Sequence, residues 1–227
     1  MSLNKSDFTS NWAYGKAKSN YHFNDDLLDK PGQYVYKAGK FQGDWSSDLA
    51  TVLANSTPIT WATRKGDTVS DMLTQEQADI TNAGADADLV VSEKYSGNID
   101  DLPTLKKMVD FFGLTDPEAR VHVQRLGQMW NIHVDKLEDR NPDNPDSVIR
   151  FHIFLNDWSP GQFFEIGTHD LQHWKAGDII WFDWQNAPHA SANASYDPKV
   201  AIMLTGIKSA KTEQIIADAT AKHIYKI

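Results

Sequence analysis

The chain has 227 residues, of which 41% are hydrophobic and 23% charged, with no cysteine, eight histidines and a formal net charge of -9. Without cysteine, disulfide frameworks, zinc ribbons, thiolate nucleophiles and cysteine-held iron–sulfur clusters are excluded, so a metal could be held only by imidazole and oxygen. The acidic balance argues against nucleic-acid and anionic-membrane partners, and no run of roughly 18–20 apolar residues or secretory leader pattern is present, so a soluble cytoplasmic protein is expected.

In chain order, residues 34–36 and 59–62 read as extended, and residues 71–80 as a helix that Thr68 or Ser70 would cap. The acidic stretch 84–88 reads as a loop, since it lacks the further ligands and glycine of a calcium loop. A second helix is expected over 103–112, with Asp101 or Thr104 near its start and Gly113 placed to end it. Beyond residue 116 short extended runs follow one another, at 121–128, 131–135, 147–156, 163–166, 178–184, 189–193 and 199–207. Turn-forming clusters such as Ser159-Pro160-Gly161 separate them. Many short strands at regular spacing indicate an antiparallel sandwich or barrel, and residues 212–222 read as a closing helix packed outside it.

Six of the eight histidines lie between residues 122 and 189, which makes this segment the place to look for a metal or acid–base site. In Trp130-Asn131-Ile132-His133-Val134-Asp135, side chains two apart on a strand share a face, so His133 and Asp135 can chelate one cation. Alone this spacing is weak. His189, after an apolar strand and a turn, would complete two histidines and one carboxylate, a facial triad suited to non-haem Fe(II) oxygen chemistry. Lys199, ten residues further on, shares a strand face with Ala201 and Met203, where a single cation could pair with a ligand carboxylate. On residues 148–155 alternation puts Ile149, Phe151, Ile153 and Leu155 on one face and Arg150 with His152 on the other, costly to bury unless an anion meets them.

With these residues in hand, the sequence resembles the Fe(II)- and 2-oxoglutarate-dependent dioxygenases, and within them the aspartyl/asparaginyl β-hydroxylase and proline cis-hydroxylase group. The match is carried by His133-x-Asp135, His189, the basic residue ten positions later, Arg150-x-His152, Gly127, Gly177-Asp178 and His189-x-x-x-Asn193, over about residues 117–207. It implies a mainly β fold with flanking helices, a double-stranded β-helix (jelly-roll, cupin-like) barrel. Residues 1–115 would be a mixed α/β extension packing on the core, 116–208 the catalytic core and 209–227 a C-terminal helix, all in one domain. It further implies that His133, Asp135 and His189 bind iron, that Lys199 holds the distal carboxylate of 2-oxoglutarate, and that Arg150 and His152 lie near its other carboxylate or the substrate. His122 or Gln124 would add a hydrogen bond to the co-substrate. The implied reaction is hydroxylation of a C–H bond in a small molecule or peptidyl side chain, with dioxygen consumed and 2-oxoglutarate decarboxylated to succinate. Lysine at position 199 departs from the arginine of many members of the group, giving a point charge in place of a bidentate fork.

A loose cupin pattern, Gly127, His133, Asp135, Asp139 and His189, offers the alternative of a metal-dependent cupin or small-acid binder that does not use 2-oxoglutarate. A metal-free β-barrel binding module is a third reading. Trp130 and Arg125 are candidates for substrate contact, whereas Trp181 and Trp184 read as barrel wall and His169 and His173 as polar turn residues. The polar stretch 136–147 would either cover the mouth of the site or simply connect two strands. Oligomeric state is not legible from these patterns.

Overall fold

A computed structural model of the chain describes residues 35–60, 89–135, 137–167, 169–184 and 187–227. The helix expected over 71–80 with its caps, the loop at 84–88 and His22 lie outside the described residues.

The strands are β1 (Val35–Gln42), β2 (Ser56–Thr60), β3 (Val90–Tyr95), β4 (Thr115–Gln124), β5 (Met129–His133), β6 (Val148–Phe154), β7 (Gln162–Ile166), β8 (His169–Asp170), β9 (Asp178–Phe182), β10 (His189–Asn193), β11 (Lys199–Ile207) and β12 (Ile224–Lys226). The helices are α1 (Ser46–Ala54), α2 (Pro103–Phe111) and α3 (Ala210–Ala217). An eight-stranded sheet runs in the order β12-β1-β9-β6-β11-β4-β3-β2, and a four-stranded sheet in the order β5-β10-β7-β8. From β4 to β11 the chain passes back and forth between the two sheets, and every pairing among these strands is antiparallel. This winding is a double-stranded β-helix, the jelly roll that the resemblance implies and a form of the antiparallel barrel expected from the spacing of short strands. No helix among the described residues is long and apolar enough to cross a membrane.

The period-2 alternation of the large sheet separates two environments. On β6, Ile149, Phe151 and Ile153 join Val121, Val123, Val200, Ile202 and Leu204 in one cluster with Val52 of α1 and Leu105, Met108 and Val109 of α2. The opposite face carries Val148 and Phe154, which pack with Phe164, Ile166, Ile180, Phe182, Trp174 and Trp184. Arg150 and His152 lie on this second, inward face. The larger apolar cluster therefore sits outside the barrel, under the helices, whereas the barrel interior holds the smaller apolar cluster together with polar groups.

Three local features depart from expectation. Helix α2 is not capped by Asp101 or Thr104. Buried Asp48, on α1, accepts from the backbone N–H groups of Thr104 (2.7 Å) and Leu105 (3.0 Å), so the two helices are tied together by the orphan donors of one of them. The closing helix starts at Ala210, where Ser209 and Thr212 form a reciprocal capping box, and ends at Ala217. The chain then forms β12, which pairs in parallel with β1, a contact local periodicity does not encode. Residues 169–170, expected in a turn, form a two-residue strand against β7. Gly113 ends α2 with a positive φ of 62° as expected, and Gly177 (φ 90°) lets β1 pass so close that a Cβ there would meet the Phe41 carbonyl oxygen at 2.2 Å.

Removing the Asp48 carboxylate leaves two buried N–H groups without an acceptor. Asp48→Ala is expected to cost about 1–3 kcal/mol and to lower Tm by several degrees in thermal denaturation, with Asp48→Asn, which keeps an acceptor, losing less.

Candidate metal centre and its cavity

Strands β5 and β10 pair so that His133 and His189 stand opposite each other in the register. Their rings are 4.3 Å apart between centroids. His133 Nδ1 is 2.6 Å from the Asn131 carbonyl oxygen, and His189 Nδ1 is 3.1 Å from that of Ala187. A carbonyl can only accept, so in each neutral ring Nδ1 carries the proton and Nε2 presents its lone pair. Both Nε2 atoms face Asp135, His133 Nε2 at 3.9 Å from Oδ1 and His189 Nε2 at 3.7 Å from Oδ2. Ligand atoms of all three residues lie within 4.8 Å of one another, and no other such group of three occurs among the described residues.

Asp135 reaches this position differently from expectation. Strand β5 ends at His133, two residues before the aspartate. The Asp135 backbone N–H instead donates to the Trp184 carbonyl oxygen at 3.1 Å, and Arg150 Nη1 on β6 donates to Asp135 Oδ2 at 2.5 Å. Arg150 is itself held through Nε on Thr205 Oγ1 at 2.9 Å. Burial pushes the Asp135 carboxyl up, but Arg150, through its charge and its hydrogen bond, outweighs burial and holds the group down at about 2. Burial keeps His189 below the ordinary imidazole range. An ionised carboxylate and a neutral imidazole are the forms a divalent cation requires.

The triad opens into a cavity of about 300 Å³. Lys199, buried at 4% exposure, enters it from β11, paired in register with Gln124. Its Nζ donates to the Phe163 carbonyl oxygen at 3.2 Å and lies 4.5 Å from the centre of the Phe164 ring. Among the described residues no carboxylate comes within ion-pair distance of it, and burial pulls its pKa down to about 7. His152, buried on β6 against Phe154 and Phe164, has no hydrogen-bond partner at Nε2. The same is true of His122 Nε2 on β4. Burial first, then the positive charges of Arg120, Arg150 and Lys94, lower the His122 pKa to about 3.

The fold thus brings His133, Asp135, His189, Arg150, His152, Lys199, His122 and Trp130 to one cavity. Arg125 is not among its lining residues; it pairs with Glu93 at 2.8 Å and donates to the Leu53 carbonyl oxygen. Neither His169 nor His173 lines the cavity, and exposed His173 packs its ring on Trp158. Of the stretch 136–147, Leu137 lines the cavity. The sequence reading overlooked Glu118 and Arg120, which line the cavity beside His122 on β4. Their positions two and four residues before His122, on the same strand face, were the available signal, hidden because the strand was expected to begin only at residue 121.

No protein-family model and no curated protein matches the sequence. Among solved structures the chain is similar to a prolyl-4-hydroxylase from Pseudomonas putida, at 16% identity over 82% of this chain and 97% of that one, with a TM-score of 0.40. It is also similar to a sugar phosphate isomerase of the cupin superfamily from Silicibacter pomeroyi (10% identity, 51% and 59% covered, TM-score 0.34). A double-stranded β-helix protein from Klebsiella pneumoniae is a third (20% identity, 43% and 73% covered, TM-score 0.29).

Lys199 gives the ligand-free chain a distinctive pH dependence. Between its folded value near 7 and the ordinary lysine value of 10.5, the unfolded chain holds a proton that the folded chain has released. Stability conferred by this residue therefore rises with pH across that window, and below about 7 the full penalty of a buried charge is felt. Urea denaturation from pH 7 to 10 is expected to show the wild type gaining stability relative to Lys199→Met; parallel curves would contradict the buried, uncompensated lysine.

Proposed function

We propose that the protein is an Fe(II)- and 2-oxoglutarate-dependent dioxygenase that hydroxylates a C–H bond of an amino acid or peptidyl side chain. The observation that carries this reading is Lys199, a buried cation without a carboxylate partner among the described residues, in the same cavity as a His-Asp-His triad. A buried cation without a counterion is destabilising, so its presence beside a metal triad calls for an anionic ligand. The residues present fit both groups: His133 Nε2, Asp135 and His189 Nε2 would hold the metal, and Lys199 the distal carboxylate of 2-oxoglutarate. The orphaned Nε2 of His152, on the same inner face, is available to the bound co-substrate or substrate. Bound together, iron and 2-oxoglutarate would supply the oxidising power, with one oxygen atom of dioxygen ending in the hydroxylated product and the other in succinate as carbon dioxide leaves.

The chain's own contribution is orientation and exclusion of water. The backbone carbonyls of Asn131 and Ala187 hold both imidazoles in the ligating tautomer. Arg150 keeps Asp135 ionised and anchors its Oδ2. Phe164 and Phe182 wall the cavity with apolar surface beside the triad.

A second reading, a cupin-type metalloenzyme or small-acid binder without 2-oxoglutarate, draws on the Arg150–Asp135 pair, which leaves Lys199 as the inner cation open to a ligand. Anaerobic titration separates the two. The Fe(II)-loaded protein is expected to develop the weak visible charge-transfer band of the chelate on adding 2-oxoglutarate; no band and no thermal protection would refute the first reading, and protection by monocarboxylic acids alone would favour the second. His133→Ala is expected to abolish iron binding, whereas Lys199→Ala keeps iron and weakens 2-oxoglutarate by roughly a hundredfold or more. Arg150→Met should lower metal affinity by about 10–100-fold in competition titrations while the chain stays folded, as expected for a residue that orients a ligand from behind.

A further inference from the structure

Asp135 stands beyond the end of β5, and two contacts from other elements set its position. Its backbone N–H donates to the Trp184 carbonyl oxygen at 3.1 Å, and its Oδ2 accepts from Arg150 Nη1. Both contacts lead back to β6. The Trp184 indole, buried at 4% exposure, donates through Nε1 to the carbonyl oxygen of Val148 at 3.0 Å, two residues before Arg150 on that strand. Val148, Trp184, Asp135 and Arg150 therefore close a ring: carbonyl to indole, carbonyl to backbone amide, carboxylate to guanidinium, and two residues of β6. An aspartate held at one end could still swing about its own bonds. Held at amide and carboxylate by groups that share one strand, it has a single place to be.

The topology explains why the indole makes this contact. Strands β6 and β9 pair from Ile153–Ile179 to Phe151–Trp181. Three residues further along each strand the same register brings Val148 opposite Trp184, and there a side chain supplies the bond.

The turn that carries Trp184 serves a second ligand. Between β9 and β10 the Ala187 N–H donates to the Asp183 carbonyl oxygen at 2.9 Å, and the Ala187 carbonyl oxygen holds His189 Nδ1 at 3.1 Å. The Pro188 carbonyl oxygen accepts from the Gly167 N–H at 2.7 Å, which ties the turn to the end of β7. Asp135 and His189, with Oδ2 and Nε2 3.7 Å apart, are thus oriented by two carbonyls of one turn. His133 is oriented by Asn131 of its own strand.

We infer that Trp184 is a positioning residue of the metal centre: its indole, fastened to Val148, fixes the turn that holds Asp135 and His189 together. This rests on the triad being a metal site, the part of the proposed function that its two readings share. A purely structural indole is the alternative, and the chain supplies the matched control. Trp45, buried in the cluster under the helices, donates Nε1–H to the Leu155 carbonyl oxygen at 2.8 Å, just past the end of β6. That bond is of the same kind, on the opposite side of the sheet, with no ligand in its circuit.

The test titrates the full chain anaerobically with Fe(II) and with Co(II), whose visible bands report the ligand set. Metal affinity, the Co(II) bands and Tm of the metal-free protein are compared in the wild type, Trp184→Phe and Trp45→Phe. Each substitution removes one buried indole donor and the same side-chain volume, so both are expected to lower Tm by several degrees. Trp184→Phe alone is expected to weaken metal binding, by roughly 10–100-fold, and to shift the Co(II) bands at saturating metal. Combined with Arg150→Met, it should cost less than the product of the two separate losses, because both changes open the same ring. Where Trp184→Phe does not fold, replacement of Trp184 by 3-benzothienylalanine keeps the ring shape without the N–H donor, and the same loss of affinity is expected. Equal metal affinity in the Trp184 and Trp45 variants, unshifted Co(II) bands, or losses that multiply with Arg150→Met would overturn the inference while leaving the metal centre standing. Failure of the wild type to bind either metal would overturn the metal centre and the inference together.

Discussion

The buried pair between Arg150 and Asp135 is the contact on which the centre depends. It joins β6 of the large sheet to the end of β5 in the small one, and Thr205 of β11 anchors the guanidinium from behind. An aspartate two residues beyond a strand end has no ladder to hold it; the ion pair and the Trp184 carbonyl take that role. The same contact determines charge. With Arg150 beside it Asp135 stays ionised although buried, and each histidine is free to be neutral and to present Nε2 inward. Breaking such a pair leaves a buried charge without compensation, which is why it is more consequential than a surface ion pair of equal length.

The two inner cations behave differently for the same reason. Arg150 has its anion within the chain, and Lys199 has a carbonyl and an aromatic ring instead. Burial then pulls the lysine toward neutrality, a destabilising arrangement that a folded protein retains where a ligand restores the balance. Stability comes from elsewhere. The larger apolar cluster lies on the other face of the large sheet, where α1 and α2 cover β4, β6 and β11, so the barrel interior can carry the triad with Arg150, His122, His152 and Lys199 beside its own smaller apolar cluster. Architecture of this kind separates the face that folds from the face that binds.

How legible each part was in the sequence follows from the range of the interaction that creates it. Strands β10 and β11 run over 189–193 and 199–207, the bounds expected from alternation and flanking turns, because both are hemmed in by local signals. Strand β4 begins at Thr115, six residues earlier than expected, since its polar first half is held by pairing with β11 as far as Ile207 and not by its own pattern. Helix α1, strand β3 and strand β12 were not anticipated, and β12 exists only through its parallel pairing with β1, more than 180 residues away. The Asp48 cap of α2 spans 56 residues and so escapes any motif read along the chain.

For the centre the division is similar. The residue types were determined by the sequence alone: a cysteine-free chain leaves histidine and carboxylate as ligands, the clustering of histidine marks the segment, and period-2 alternation puts Arg150 with His152 and Lys199 with Met203 on one face. Only the tertiary structure decided which charges meet. That Arg150 finds Asp135, that Lys199 finds no carboxylate among the described residues, and that His122 Nε2 is buried without a partner depend on how two sheets close on each other. Alternation along a strand fixes a side chain's face through local geometry, whereas its partner across the barrel is set by the register of strands far apart in the chain, which no local pattern encodes.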